Sequence, residues 1–248
     1  MNKAQPADIL GCQVHLVDLN QAVEEIAVMI QTGKTPAHII TANAEILYQA
    51  SHDPELAKII NGANLVTPDG IGVVWAAGFL GHQTRGRVTG IELLEAICRE
   101  GTRRGWKVFF FGAAPGVAET AAGNLAEKYP GLKIAGSING YFTPEKEKDI
   151  IAAIKEAAPD ILFVGLGAPR QEFWIREKRE ELQVPVCIGI GGSFDVISGQ
   201  KKRAPAWVIK ANLEWLYRLV SEPSRIKRQM ALPKFVLAIW RQKYKRQL

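Results

Sequence analysis

The 248-residue chain is nearly half hydrophobic, enough to bury one large α/β core or two small ones, which places it among globular proteins. Cys12, Cys98 and Cys187 lie far apart with no CxxC pair or zinc spacing and read as reduced core residues of a cytoplasmic protein, while Asp18, Glu24 and Glu25 interrupt the early apolar residues where a signal peptide would run, and no stretch of ~18 uncharged apolar residues could span a bilayer. The net charge of +6 divides sharply, with 18 Lys and Arg against 23 Asp and Glu up to Gln200 and 13 against 2 from Lys201 to Leu248, so a mildly acidic globule carries a basic tail suited to an anionic surface.

In chain order, β-rich runs alternate with amphipathic helical stretches. His38–Thr41 reads as a strand that ends in Thr41-Ala-Asn43 and meets a helical stretch, Ala44–Ala50. Leu65–Thr67 ends in Pro68-Asp69-Gly70, and a Gly-flanked loop, Gly81–Gly90, then carries Arg85 and Arg87. The helical stretch Gly90–Arg104 leads to the strand Lys107–Phe111, whose exit, Gly112 to Gly116, opens a helix over Gly116–Tyr129. Lys133–Ser137 is the next strand, followed by a helix over Pro144–Ala157 and a strand over Asp160–Val164. That strand exits through Gly165 to Glu172, and the last, Val186–Ile190, through Gly191 and Gly192 to Asp195. Most strands carry successive β-branched or aromatic residues, as strands buried on both faces do. The pattern predicts an α/β fold, an open, mainly parallel, Rossmann-like sheet with helices on both faces, occupying residues 1–205. Residues 206–248 are expected to form a basic amphipathic appendage outside that core.

Ligands of open α/β sheets sit beyond the carboxyl ends of the strands, and five of these junctions concentrate glycine and polar side chains there. Gly112 with Gly116, Gly165 with Gly167, and Gly189 with Gly191 and Gly192 suit close backbone approach to a phosphate, although any one of them could serve turn geometry alone. Neither a P-loop nor a dinucleotide fingerprint is present. Asp69 reads either as a helix N-cap or as a partly desolvated general base. Thr41 and Asn43 likewise read as cap or as substrate contacts. Arg87 suits a diphosphate through paired N–H donors, whereas Lys201, Lys202 and Arg203 can be read as a surface charge run. There is no DxD triplet and no His and carboxylate cluster with ligand spacing, so no metal is expected and no cofactor is implied. Charge on a leaving group then falls to backbone N–H groups, Arg and helix dipoles. In the tail, Trp207, Trp215 and Phe235 to Trp240 are interleaved with aliphatics and cations at helical spacing, the signature of an interfacial helix; the alternative is a helix docked on the protein's own core, and nucleic acid ranks below both.

Taken together and in order, these junctions resemble the bacterial N-acetylmannosaminyltransferases of wall teichoic acid linkage-unit and enterobacterial common antigen synthesis, with related capsule enzymes. The resemblance runs from about Ile9 to Arg228 through Thr41-Ala-Asn43, Pro68-Asp69-Gly70, Arg87-Val-Thr-Gly90, Gly165 to Glu172, Gly191 to Asp195 and Arg203-Ala-Pro205. It implies inverting transfer from UDP-N-acetylmannosamine to the 4-hydroxyl of N-acetylglucosamine on undecaprenyl diphosphate, giving a β-1,4 link at the cytoplasmic face of the membrane. It further implies that Asp69 is the base, that Thr41, Asn43 and Arg87 line the substrate pocket, and that Gln171, Tyr141 and Asp195 contact UDP. Arg218, Arg225 and Arg228 of a membrane-binding appendage would approach the diphosphates. Two rivals stand beside this reading, a non-catalytic nucleotide-sensing module that docks on membranes and a transferase for another UDP-sugar; self-association is left open by the sequence.

Overall fold

The computed structural model describes residues 6–33, 35–221 and 230–245. The chain opens with an antiparallel hairpin absent from the sequence reading, β1 (Pro6–Ile9) and β2 (Cys12–His15), which turns through Leu10 and Gly11, both at positive φ. Helix α1 (Leu19–Thr32) starts at a capping box between Asp18 and Gln21 and stops at Gly33 in the left-handed region. Next come β3 (Ala37–Ala42), α2 (Ala44–Ala50), α3 (Pro54–Asn61), β4 (Leu65–Pro68), α4 (Ile71–Phe79) and α5 (Gly90–Arg104). The second half alternates β5 (Lys107–Gly112), α6 (Val117–Lys128), β6 (Lys133–Ile138), α7 (Pro144–Ala157), β7 (Ile161–Gly165), α8 (Arg170–Leu182) and β8 (Val186–Gly189). Short helices α9 (Ser193–Ile197), α10 (Ala206–Lys210) and α11 (Glu214–Ser221) follow, and α12 (Ala231–Lys245) is the last.

The six strands expected from the sequence form one sheet in the order β4-β3-β8-β7-β5-β6, and every neighbouring pair is parallel. All six carboxyl ends therefore open on the same edge. Alternation along the strands separates two apolar layers. Phe110, Phe163 and Ile188 pack with α1, α5 and α6 on one face, while Phe109, Phe111, Leu162 and Val164 pack with α7 and α8 on the other. The layer with α7 and α8 continues, beyond β3, into a cluster built from the hairpin and α2, α3 and α4. Helices thus cover both faces, as a parallel sheet requires.

The last helix corrects the expected separation of the tail from the core. Phe235 and Ile239, one turn apart on α12, are fully buried in the cluster with the hairpin, α2 and α4. Gln242 Nε2 donates to the Asp8 carbonyl at 2.9 Å, and Leu10 N–H donates to Gln242 Oε1 at 2.9 Å. Lys243 Nζ donates to the Phe79 carbonyl at 2.6 Å and stands 4.2 Å from the centre of that ring. Val236, Leu237, Trp240 and Tyr244 on other faces of the same helix are exposed. The helix has two apolar surfaces, one inward and one outward, and apolar periodicity alone could not show that the inward one has a partner. Phe235→Ala should lower the unfolding free energy by about 3–5 kcal/mol, the cost of deleting a large buried side chain, and urea denaturation monitored by circular dichroism measures it.

Candidate active site

A pocket opens over the carboxyl ends of β3, β4, β7 and β8, the place where the sequence reading looked for chemistry. Four of the predicted junctions meet there. Thr41 is buried at the end of β3 and donates its hydroxyl to the Gly189 carbonyl at 3.0 Å, joining β3 to β8. Asn43 also lines the pocket, but its Oδ1 accepts the Ile46 N–H at 3.0 Å and so caps α2. Asp69 lines the pocket one residue before the cap position of α4, which is held by Gly70 at φ 90° without a side-chain cap bond. Its own N–H is fixed to the Ala42 carbonyl at 2.8 Å. The backbone that positions this carboxylate is therefore tied to the strand carrying Thr41.

The loop after α4 returns to the same place. Val88 N–H donates to the Pro68 carbonyl at 2.9 Å, anchoring the neighbour of Arg87 beside Asp69. Arg87 pairs with Glu214 at 3.5 Å and lies 3.9 Å from Glu92, which also receives Arg203 at 3.1 Å. Thr89 caps α5, and the N-terminus of that 15-residue helix faces the pocket through Gly90. A Cβ on Gly90 would lie 3.2 Å from the Ile190 carbonyl and 3.4 Å from Thr41 Oγ1, so glycine lets the helix end approach this closely. The positive end of α5 thus faces the pocket that Asp69 lines, while Arg87 stands outside the lining and meets it through Glu214.

The opposite wall is Gly167, Gln171, Gly191 and Gly192. Gln171 is buried, and its Oε1 accepts the Gly191 N–H at 3.1 Å. Three residues that the sequence suggested as a surface run, Lys201, Lys202 and Arg203, instead line the pocket, together with Glu214 from α11. Their place in the pocket lining was hidden because it depends on the chain folding back over β8 after α9.

Other predicted residues stand apart from this pocket. Asp195 lies in α9 just behind its wall and pairs with Lys201 at 3.4 Å. Tyr141 is exposed in a separate depression with Phe142, Lys146 and Arg170, beyond β6. Gly112 and Gly116 are on the same sheet edge but outside the pocket lining. At Gly112, with φ 135°, a Cβ would fall 2.5 Å from the Gly165 carbonyl, so glycine is required there by the approach of β5 to β7. Arg218 falls in α11, and Arg225 and Arg228 lie outside the described residues.

The family model for the glycosyl transferase WecG/TagA/CpsF family matches residues 7–248. The chain belongs to that family. Within it, the chain is similar to a protein of Bacillus spizizenii, 39% identical over 82% of this chain and 78% of the relative. It is also similar to proteins of Bacillus subtilis, at 37% over 83% and 80%, and Staphylococcus aureus, at 36% over 96% and 93%. All three relatives are named N-acetylglucosaminyldiphosphoundecaprenol N-acetyl-beta-D-mannosaminyltransferase. The expected fold and family are both met. The pocket brings the Asp69 carboxylate together with Lys201, Lys202 and Arg203, while Arg87 stands outside its lining, paired with Glu214.

Proposed function

We propose that the chain transfers N-acetylmannosamine from UDP-N-acetylmannosamine to the 4-hydroxyl of N-acetylglucosamine on undecaprenyl diphosphate, with inversion at the sugar carbon. The observation that carries this reading is that Asp69 lines one pocket with the start of α5, Lys202, Arg203 and the Gly191–Gly192 turn, and that Arg87 reaches the rim of that pocket through its ion pair with Glu214. The names of the relatives support the sugar and the acceptor. In the reaction, the Asp69 carboxylate takes the proton of the acceptor 4-hydroxyl as that oxygen attacks C1 of the donor sugar. The bond from C1 to the diphosphate breaks, and UDP departs with the electron pair. Arg87, Lys202, Arg203 and the α5 N-terminus meet the charge that develops on it. Arg218, Arg225 and Arg228 are assigned to the same diphosphates by the resemblance. Gln171, Asp195 and Tyr141 are assigned to UDP. Gly112 and Gly116 shape the neighbouring edge, Gly167 and Gly192 let the backbone approach the donor closely, and Gly191, whose N–H is held by Gln171, shapes the turn between them.

The acceptor's lipid tail calls for a membrane surface, and no described helix is long and apolar enough to cross a bilayer. The proposed contact is peripheral, at the cytoplasmic face, through exposed Trp75, Leu237, Trp240 and Tyr244, where the aromatic rings run in contact from α4 to α12 through Phe79. Lys234, Arg241 and Lys245 flank that surface on α12. Aromatics and cations at one face suit an anionic headgroup layer.

The deciding experiment offers purified protein a panel of UDP-sugars with a short-chain polyprenyl-diphosphate-GlcNAc acceptor. UDP release and a lengthened saccharide are expected with UDP-N-acetylmannosamine alone; faster transfer of another sugar overturns the donor, and UDP binding without transfer favours the sensing module. A chelator should leave initial rates within about twofold, because Arg, Lys and helix N–H groups are assigned the leaving-group charge. A larger loss restored by magnesium or manganese overturns that assignment.

A further inference from the structure

Glu172 follows Gln171 in the first turn of α8, and its side chain is entirely buried. Oε1 accepts from Gln171 Nε2 at 2.8 Å, whereas Oε2 has no hydrogen-bond partner among the described residues. Burial of a carboxyl group with so little compensation is costly. It pushes this carboxyl up to about 7. A leucine or methionine would fill the same space without that cost, so the carboxyl must serve a neighbour.

The neighbour is Gln171. A carboxamide can turn over by 180° with almost no change of shape, exchanging its acceptor for its donors. Two fixed partners remove that freedom. Glu172 Oε1 needs a donor, and the Gly191 N–H needs an acceptor, so only one orientation of the amide satisfies both. Gly191, at φ 53°, begins the turn that walls the pocket. The pair also depends on an absent side chain between them and the sheet, because a Cβ on Gly189 would lie 2.7 Å from Gln171 Nε2 and 3.1 Å from Glu172 Oε1. The carbonyl of the same Gly189 receives the Thr41 hydroxyl. Thr41, Gln171 and the Gly191 turn are thereby registered against one another around a single bare point of β8.

We propose that Glu172 is a positioning residue, whose carboxyl locks the Gln171 amide in one orientation and through it holds the Gly191–Gly192 turn in the shape that receives the donor nucleotide. The part concerning the nucleotide rests on the function proposed above; the lock itself does not. Oε1 accepts from the amide whether the group is ionised or protonated, so the lock persists through neutral pH.

Two substitutions separate the lock from bulk packing. Glu172→Gln keeps an acceptor at Oε1, and Glu172→Met keeps the volume but loses the acceptor. In ligand-free protein, hydrogen exchange of the Gly191 amide should be about tenfold faster in Glu172→Met and unchanged within about twofold in Glu172→Gln, the scale of one hydrogen bond lost or kept. Equal exchange in all three proteins overturns the lock whatever the protein catalyses. In the transfer assay, Glu172→Met should raise the KM for the UDP-sugar about tenfold with kcat held within about threefold, and Glu172→Gln should restore it. In a Gln171→Ala background, Glu172→Met should have no further effect on KM. An additive effect there, or a Glu172→Gln variant as impaired as Glu172→Met, overturns the proposal. If exchange follows the expected pattern while wild-type protein fails to use or bind any UDP-sugar, the assignment of the pocket fails and the lock stands.

Discussion

Replacement of Asp69 by Asn is expected to lower turnover by ~10² to 10⁴, the usual contribution of a positioned general base, while leaving fold and UDP affinity nearly unchanged. Asn matches Asp in shape and retains the N–H that bonds the Ala42 carbonyl, so the turn from β4 into α4 should survive. What the variant loses is the capacity to take a proton from the acceptor hydroxyl. The donor's diphosphate is assigned to groups on other elements, Arg87 and the start of α5, so calorimetric UDP binding should hold within a few-fold. Turnover near the wild-type value would remove Asp69 from the role of base. Normal kcat with a raised KM would make it a binding group instead.

Deletion of residues 206–248 is expected to abolish stable binding to anionic vesicles and to weaken the fold without dissolving the sheet. The deleted segment holds 13 Lys and Arg against 2 acidic residues. At about 1 kcal/mol for each cation near an anionic surface, three engaged at once account for roughly a hundredfold in affinity. All six sheet strands and their ladders lie upstream of the cut. Loss of Phe235 and Ile239, however, uncovers apolar surface on α2 and α4, so the truncated protein should keep its far-ultraviolet dichroism and melt at a lower temperature. Turnover with a short, soluble acceptor should also fall, since Glu214 and the tail arginines go with the deletion. Leu237→Ser and Trp240→Ser, on exposed positions of α12, separate anchoring from folding: vesicle binding should weaken while the melting temperature stays within a few degrees. Retained vesicle affinity after the deletion would place the membrane contact elsewhere.

The sequence revealed most where one residue type has few uses. Six strands were legible because runs such as Val108 to Phe111 and Ile161 to Val164 can hardly be anything but doubly buried β structure. The polar and glycine residues that interrupt those runs marked the right edge, and Thr41, Asp69, Gln171 and Gly191 meet there as the order of junctions implied. The hairpin was not legible, since two four-residue strands around Leu10 and Gly11 carry little periodic signal and are fixed by pairing with each other and by α12. Lys201 to Arg203 looked like a solvated run for the same reason: side chains take their role from the return of the chain over β8. Gly112 shows a third limit. Its glycine character is genuine, yet the cause is the backbone of Gly165 and not a ligand. Glu172 carries no legible task in the sequence, because a carboxylate at the start of a helix ordinarily faces water; only complete burial reveals it.

The bonds from Gln242 to Asp8 and Leu10 join positions 232 to 234 residues apart. During synthesis the hairpin emerges from the ribosome well before α12, so the cluster they share cannot close until α12 has followed. A nascent chain already holding its parallel sheet would still carry an open apolar face along α2 and α4, waiting for Phe235 and Ile239. Closure by α12 completes that cluster and at the same moment orients Leu237, Trp240 and the neighbouring cations outward. Maturation of the fold and readiness to meet a lipid surface are thus a single late event, and a chain terminated a few turns early would lack both.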